Sequence, residues 1–418
     1  MIDYNILEEK YEYIKKKNIE RNCNINLKLL IILIKEKKKS TNKINLFRNI
    51  KNKITNKILK NIKEKKCNNE YVNTSISIEK NIKNLKIYIN YLIKNIKNLS
   101  YLIPNILDDN VYDNNIEIYK SRNIKNIKNK NTNLYNTKIF KKNIIFNKSF
   151  LISNNKTVIL NGDISILNRA LINFMLDTHI KNGYIEYNFP IITNKKSLYN
   201  SGQLPKFFDN LFYVKKKNSK EINFLIPTSE VQIINIFNNM KIDDKELPIK
   251  IVSYTPCFRN EHGFYGKFKK GLIRMNQFDK VEIIQIVNYE KSNEYLEKIT
   301  NDSENIIKLL DLPYRKILLS KLETPFSSSK TYDLEVFFPS INDYIEVSSC
   351  SNTKDFQSRR LNLKYKKNKK LYPHILNASG LAVGRILLAI LENNQIKNKI
   401  KIPKVLKKYI NKKFIENE

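Results

Sequence analysis

Residues 257–278 combine side chains that could bind a nucleotide. Arg259 and Glu261 follow a strand pattern and stand two residues apart, so we expect their side chains to point to the same face. Three of the eight glycines lie within nine residues of this segment, and Phe278 comes after them. Arginine can bind a phosphate through two hydrogen bonds, glutamate can accept one from an amino group, and an aromatic ring can stack on a base. A hairpin with a flexible glycine-rich tip explains the same residues without a ligand.

Further polar segments interrupt the apolar pattern in the same part of the chain. They are 228–230 (TSE), Glu282, 346–350 (EVSSC) and 377–385 (NASGLAVGR). Strict alternation places Glu346 and Ser348 on one face of a strand and Ser349 on the other, and 377–385 is interpreted as the opening of an apolar helix. Each segment could be structural, because serine and threonine pair across strands and glycine permits tight packing. Together they supply carboxylates for an amine or a metal and, with Arg385, a second arginine for phosphates.

The net charge of +36 has two explanations. Lysine and arginine that neutralise phosphates drive the binding of polyanions. A compositional bias explains the same excess, since lysine, asparagine and isoleucine dominate throughout, tryptophan is absent and glycine is rare. Residues 1–150 hold 33 basic and 13 acidic side chains, so the N-terminal third is the more basic part.

The cysteines and the apolar runs predict an intracellular protein. Four cysteines lie far apart without a CxxC pair, which favours reduced thiols over a zinc site or a disulfide framework. The first residues, MIDYNILEEK, are acidic where a signal peptide would be basic and then apolar. The longest apolar run, at 29–34, is far shorter than the ~20 residues of a membrane span. We expect a cytoplasmic location and no membrane partner.

A heptad pattern predicts a helical arm near the N-terminus. Isoleucine and leucine recur with alternating spacings of four and three from Ile78 to Ile103, where Pro104 ends the helix. An upstream pattern from Ile44 to Ile62, separated from the first by a polar turn at 66–75, supplies a partner. We therefore predict an antiparallel helical hairpin over about 27–103. A dimeric coiled coil, or one helix packed on the body, would use the same residues.

The rest of the chain predicts an α+β body. Residues 111–160 are rich in asparagine and lysine and are interpreted as a linker. From residue 161 to 418, helical patterns alternate with β-branched and aromatic segments that follow one another without a helix between each pair. Such an order favours a mostly antiparallel sheet flanked by helices.

Several long motifs, in the same order, resemble those of the seryl-tRNA synthetases, a family of class II aminoacyl-tRNA synthetases. They are SGQLPKF (201–207), IPTSEV (226–231), TPCFRNEHG (255–263), GLIRMNQFDKVE (271–282), TYDLEVFFPS (331–340), EVSSCSNTKDFQSRR (346–360) and HILNASGLAVGR (374–385). The resemblance covers nearly the whole chain. It implies an N-terminal tRNA-binding domain at 1–110, a linker and a catalytic aminoacylation domain at 161–418, with a class II antiparallel sheet.

The resemblance also implies an ATP site and a Mg²⁺ site. Arg259 would hold the α-phosphate and the serine carboxylate, Glu261 would accept a hydrogen bond from the adenine amino group, and Phe278 would stack on the ring. Arg385 would grip the γ-phosphate, and with Arg259 and Glu261 it is a candidate catalytic residue. Glu346 and Ser349 would coordinate the metal ion. The full set of ATP-binding candidates is Arg259, Asn260, Glu261, Phe278, Glu346, Val347, Ser348, Ser349 and Arg385.

For the amino acid, the resemblance implies a serine pocket. Thr228 and Glu230 would receive the ammonium group, and Glu282 and Ser379 would bond the hydroxyl. Ser229 completes the candidate serine-binding set. The implied partners are L-serine, tRNA(Ser) and a second copy of the chain, since Pro190 would lie in the dimer-interface motif, and tRNA(Sec) is allowed as an additional substrate.

Two other functions are compatible with part of this pattern. A non-catalytic RNA-binding protein could keep the fold and use the basic arm alone. A paralogue could activate another amino acid. An ATP-dependent enzyme is favoured by the retention, against the compositional bias, of Arg259, Glu261, Glu346 and Arg385. Serine is favoured by Glu282, Ser379 and Thr228.

Overall fold

The structure is a computed structural model that describes residues 2–121, 138–153, 156–215, 217, 221–260, 272–366 and 370–416. The chain forms two compact units, Ile2–Pro104 and Asn105–Glu418. In the described part of the chain, no helix is long and apolar enough to cross a membrane. Glu261 and the glycines at 263, 266 and 271 lie outside the described residues.

The first unit contains the predicted helical arm. Its helices are α1 (Tyr4–Glu9), α2 (Tyr11–Ile19), α3 (Leu27–Lys63) and α4 (Asn69–Leu102). The two long helices run antiparallel, and Ile44, Ile78 and Ile82 are buried between them, with Phe47 and Leu85 packed alongside. The hairpin prediction is confirmed, because both apolar stripes cover each other instead of requiring a second chain.

The tip of the hairpin differs from the prediction. The reversal is shorter than the predicted turn at 66–75, because α4 already begins at Asn69. Ile62, which was expected to continue the stripe, exposes 60% of its surface. It lies in the last turn of α3, next to the reversal, where the opposite helix is only beginning.

The second unit combines nine shorter helices with nineteen strands in its described residues. The helices are α5 (Lys138–Asn143), α6 (Asn147–Ile152), α7 (Gly162–Lys181), α8 (Lys195–Ser201), α9 (Glu230–Asn235), α10 (Ser292–Leu309), α11 (Phe356–Leu361), α12 (Val383–Asn393) and α13 (Lys407–Ile410). The strands are β1 (Ile116–Lys120), β2 (Ile144–Ile145), β3 (Ile159–Leu160), β4 (Ile185–Glu186), β5 (Ile192–Asn194), β6 (Tyr213–Lys215), β7 (Ile222–Leu225), β8 (Lys241–Asp243), β9 (Ile249–Phe258), β10 (Gln277–Val287), β11 (Tyr314–Leu318), β12 (Lys330–Phe338), β13 (Asp343–Asn352), β14 (Lys364–Lys366), β15 (Lys370–Leu371), β16 (His374–Ala382), β17 (Gln395–Ile396), β18 (Lys399–Lys401) and β19 (Phe414–Ile415).

An eight-stranded sheet forms the centre of this unit. Its order is β1-β11-β12-β13-β16-β10-β9-β4, and every neighbouring pair is antiparallel except β4 with β9. The α+β prediction with a mostly antiparallel sheet is confirmed. Part of the predicted linker takes a place in the sheet, since Ile116–Lys120 forms the edge strand β1.

The two faces of the sheet have different neighbours. Side chains such as Val281, Ile283 and Leu334 point into a large apolar core, which α7, α10 and α12 cover. Ile284 and Ile286, on the other face of β10, belong to a smaller apolar cluster beneath α9 and α11. Further along this second face the apolar cover ends, and the strands present polar side chains to a cavity.

Two irregularities in strand pairing adjoin that cavity. On β13, Ser348 pairs with Leu334 but Glu346 pairs with Glu335, so Val347 is an extra residue. On β16, Ser379 pairs with Glu282 and Leu381 with Val281, which leaves Gly380 as the extra residue. Each is a β-bulge, a feature that often re-aims side chains beside active sites.

The bulges correct two sequence expectations. Glu346 and Ser349 both line the cavity, whereas Ser348 is buried on the core side, so the predicted sharing of faces was wrong. Residues 377–382 continue strand β16, and the helix begins only at Val383, so the helical interpretation was wrong for that part. The small residues of this segment allow a bulged strand to pack closely against its neighbours.

We expect Gly380→Ala to destabilise the protein. An added Cβ would lie 2.8 Å from Nε2 of His179 and 3.0 Å from Cγ1 of Val281, and both residues are fully buried. Overpacking of this kind costs about 1–3 kcal/mol. Urea unfolding measures the loss. Gly384→Ala is the control, because its closest contact is the flexible end of Met275 at 3.3 Å, and an equal loss for both variants would contradict the steric explanation.

Candidate active site

Two adjoining cavities lie on the polar face of the sheet. The smaller has a volume of about 110 Å³ and lies against the start of β10 and the start of α12. The larger, of about 420 Å³, extends over β10, β12, β13 and β16. Four side chains line both of them: Arg259, Lys280, Glu346 and Ser379. A ligand that fills both cavities would pass these residues at the junction.

A buried polar cluster forms one wall of the larger cavity. Lys280 donates a hydrogen bond from Nζ to Oγ1 of Thr228 at 2.7 Å and forms an ion pair with Glu282. Oγ1 of Thr228 also accepts from the backbone N–H of Glu230 at 3.2 Å and lies 3.4 Å from Oε2 of Glu282. The structure therefore brings together three of the predicted serine-binding residues and adds a lysine to them.

The two carboxyl groups of this cluster are held in an unusual environment. Burial raises the pKa of Glu230, and the hydrogen bond from Nε2 of Gln357, at 2.5 Å, and the charge of Lys280 oppose that shift. Burial likewise raises the pKa of Glu282, against the charge of Lys280. Buried carboxylates need partners of this kind because desolvation penalises their charged form. Together with Lys280 they can receive a small group that carries its own charges.

The other predicted serine-binding residues take different positions. Ser379 lies directly opposite Glu282 in the sheet and lines both cavities, and its backbone carbonyl accepts hydrogen bonds from Ser348 and Ser303. Ser229 is fully buried and does not line either cavity. Its hydroxyl has no hydrogen-bond partner among the residues that the structure describes.

Three arginines line the smaller cavity: Arg259, Arg274 and Arg385. The guanidinium group of Arg259 lies 5.3 Å from the ring centroid of Phe278, and its Nε donates to the carbonyl of Pro227 at 3.2 Å. Arg385 donates from Nη1 to the backbone carbonyl of Glu346 at 2.6 Å, and the same atom lies 3.4 Å from the Glu346 carboxylate. Cationic side chains and an aromatic ring at one cavity suit a nucleotide phosphate and base.

The remaining predicted ATP-binding residues are not all at this cavity. Val347 lines its wall, and Ser348 is buried beside it. Asn260 lines neither cavity, and its backbone N–H donates to the carbonyl of Asn210 at 2.9 Å. Glu261 lies outside the described residues.

Glu346 and Ser349 supply oxygen ligands on the edge of the larger cavity, and Asp333 lies beside them. Asp333 faces Ser349 across the strands, and its Oδ1 has no hydrogen-bond partner within the described part of the chain. Burial and the nearby charge of Glu346 hold the pKa of Asp333 well above its usual range. The described residues contain no cluster of three or more His, Cys, Asp or Glu side chains arranged to hold a metal ion.

Sequence reasoning missed Lys280 and Asp333. Lys280 could have been found, since it precedes Glu282 by two residues and therefore shares its face of the strand. Its significance was hidden by the abundance of lysine throughout the chain. Asp333 could not have been assigned in this way, because its position beside Glu346 depends on the register and the bulge of β13.

Comparisons with known proteins agree with this arrangement. Residues 212–394 match the tRNA synthetase class II core domain (G, H, P, S and T). A serine–tRNA ligase from Wigglesworthia glossinidia brevipalpis is 45% identical, with 98% of both chains covered. A crystal structure of seryl-tRNA synthetase from Pyrococcus horikoshii complexed with ATP is 29% identical, with a TM-score of 0.87 over 100% of both chains.

A second solved structure is similar over the same length. It is a cytoplasmic serine–tRNA ligase from Naegleria fowleri in complex with AMP, 25% identical, with a TM-score of 0.86 over 100% of this chain and 99% of that one. The full-length match at 45% identity is much closer than a shared fold alone requires. The chain belongs to the serine–tRNA ligase family of class II aminoacyl-tRNA synthetases.

Proposed function

We propose that this protein attaches L-serine to tRNA(Ser) in two steps. A carboxylate oxygen of serine attacks the α-phosphorus of ATP, the bond to the bridging oxygen breaks, and pyrophosphate leaves seryl-adenylate behind. The terminal ribose hydroxyl of the tRNA then attacks the carbonyl carbon, and AMP leaves. The observation that carries the proposal is the junction of two cavities, one suited to a nucleotide and one to a small zwitterion, with Arg259 lining both.

Serine occupies the larger cavity in this proposal. Thr228 and Glu230 receive its ammonium group, and Glu282 and Ser379, which face each other across the sheet, bond its hydroxyl. A substrate without the hydroxyl would leave buried polar groups unpaired, at a cost of roughly 1–3 kcal/mol for each group. The pocket would thereby reject alanine. Ser229, between Thr228 and Glu230 in the chain, completes the proposed serine-binding set, and its side chain is buried and lines neither cavity.

ATP occupies the smaller cavity and extends to the junction. Arg259 binds the α-phosphate and the serine carboxylate, so the two reacting groups lie side by side and their like charges are neutralised. Phe278 stacks on adenine, and Arg385 binds the γ-phosphate. Glu261 accepts from the adenine amino group, and Val347 lines the wall of the cavity. Asn260 and Ser348, which line neither cavity, adjoin Arg259 and Val347 in the chain.

The residues at the edge of the larger cavity fit Mg²⁺. The side chains of Glu346, Ser349 and Asp333 carry oxygen atoms, the type of ligand that this hard cation prefers. Magnesium is commonly held by one or two carboxylates together with substrate phosphates. When bound, the ion would neutralise charge on the triphosphate. Arg385 must release Glu346 for this purpose.

The helical hairpin is the proposed tRNA-binding element, within an N-terminal domain of 1–110 that a linker joins to the catalytic domain at 161–418. Residues 35–98 hold 18 basic and 4 acidic side chains. Lys35, Lys38, Lys39 and Lys43 surround one shallow depression on α3. We include tRNA(Sec) as a second substrate, because contacts to phosphates and helical shape carry little sequence information.

A homodimer is part of the same proposal. Strand β4 is an edge of the eight-stranded sheet, and apolar groups there are open to solvent: Ile185 exposes 61% of its surface and Tyr187 40%. Tyr187 stacks on Phe189, next to Pro190. An uncovered apolar edge is suited to a second copy of the chain.

Serine-dependent exchange of labelled pyrophosphate into ATP tests the first step. We expect exchange with serine and not with alanine. Arg259→Ala should lower the rate by about 10²–10³-fold, since it removes the cation between the reacting groups. Arg169→Ala, at an exposed position of α7, is the control and should match wild type. Absence of exchange with every amino acid would refute the enzyme, and exchange with another amino acid would refute only serine.

Removal of the arm should separate the two steps. We expect deletion of 35–98 to leave pyrophosphate exchange intact and to abolish charging of tRNA(Ser) and tRNA(Sec) transcripts. Replacing Lys35, Lys38, Lys39 and Lys43 together by Gln keeps the hairpin core and should weaken charging and its dependence on salt. If the deletion reduced both activities equally, the arm would be required for folding instead.

Glu346→Gln should raise the Mg²⁺ concentration that gives half-maximal exchange by about 10-fold, because the neutral amide is a poorer ligand. Glu335→Gln is the matched control. Glu335 pairs with Glu346 across the strands but bonds Arg315 and lines neither cavity. A similar shift in both variants would show a general electrostatic effect and would exclude Glu346 as a ligand of the metal ion.

A further inference from the structure

Lys280 has no place in the function proposed so far, although it occupies the centre of the site. Its side chain is 8% exposed, and it lines both cavities. Its Nζ donates to Thr228 at 2.7 Å and forms an ion pair with Glu282. The ammonium of Lys280 therefore contacts the residues that are to receive serine.

The hydrogen bonds of Thr228 leave no acceptor position for the substrate. A threonine hydroxyl has one hydrogen to donate and two lone pairs that accept. Oγ1 of Thr228 already accepts from Lys280 and from the backbone N–H of Glu230, which occupies both lone pairs, and Oε2 of Glu282 lies 3.4 Å away. A serine ammonium group, which has only donors, can bind this hydroxyl only if the ammonium of Lys280 leaves it.

If the ammonium of Lys280 leaves Thr228, its buried charge needs a new partner. A buried lysine that loses its partners without gaining others carries a large desolvation penalty. Serine brings a carboxylate with its ammonium, and this carboxylate must lie at the junction of the cavities, near the α-phosphate. Lys280 lines the junction beside Arg259, so the new partner lies within the region that its side chain already borders.

We propose that Lys280 is a specificity-determining residue that exchanges partners: its ammonium occupies the serine-ammonium position in the empty pocket and binds the serine carboxylate, beside Arg259, in the loaded one. The inference rests on the proposed serine site. Only a ligand that carries a carboxylate then gives the displaced Lys280 a new partner. A ligand with the ammonium and the hydroxyl but no carboxylate would expel Lys280 from its partners and give it none in return.

Serinol tests this exchange, because it keeps the ammonium and hydroxyl groups of serine and has a CH₂OH group in place of the carboxylate. Calorimetry gives the dissociation constants of serine and serinol for wild type and for Lys280→Met. We expect the variant to lose roughly 10- to 100-fold in serine affinity, the effect of one charge-assisted hydrogen bond. Serinol should bind the variant as well as wild type or better, because no lysine has to be displaced.

Equal weakening of serine and serinol would overturn the proposal, since it would mean that Lys280 only holds Glu282 in place. Lys280→Gln keeps a donor for Thr228, should fold as wild type does, and should show the same selective loss. Lys316→Met is the matched control. Lys316 pairs with the buried Glu304 and lines neither cavity, so both affinities should stay unchanged. Failure of wild type to catalyse serine-dependent exchange would refute the proposed function, which is a separate result.

Discussion

The two-residue period of the antiparallel sheet is the constraint on which the rest of the catalytic unit depends. Successive side chains of β10 alternate between the large apolar core on one face and, on the other, the cavity followed by the smaller apolar cluster, so neighbouring residues must satisfy opposite requirements. Unbroken alternation would limit the cavity face to every second residue of each strand. The bulges at Val347 and Gly380 relax this limit, and they lie next to the residues proposed to bind metal and serine. The core remains continuous because Val347 and Leu381 stay on its side.

The second requirement on this face is the balance of buried charge. Burial of the Glu230 and Glu282 carboxylates lowers the free energy of unfolding unless each has a donor as its partner. Gln357 donates to Glu230, and Lys280 forms an ion pair with Glu282. The same partners keep the pocket selective, because any ligand must replace the contacts that it displaces. The hydrogen bonds that stabilise the folded protein are therefore also the ones that decide which ligand binds.

Sequence patterns predicted those parts of the structure that depend on local periodicity. The heptad stripe from Ile78 predicted the hairpin because its spacing is set by the helix itself. Glu282 interrupts an apolar pattern of strand-like residues, which marked it as a candidate, and it lines the larger cavity. The positions of Ser348 and Gly380 could not be predicted in this way, since a bulge is a property of two paired strands and leaves no mark in the alternation of one. Lys280 followed the alternation, but lysine is so frequent in this chain that its type carried little information.

Gly380 also bears on how this sequence can change. Glycine is scarce in the chain, eight among 418 residues, and Gly380 is one of the few. At Gly380 the ring of His179 occupies the space where a side chain would begin, and Leu381 follows with φ of 136°, a conformation that side chains seldom adopt. A mutation there would shift the backbone of Ser379 and, through it, one wall of the serine pocket. The compositional bias against glycine therefore cannot act at Gly380, because the buried ring of His179 leaves no room for a side chain beside the serine pocket.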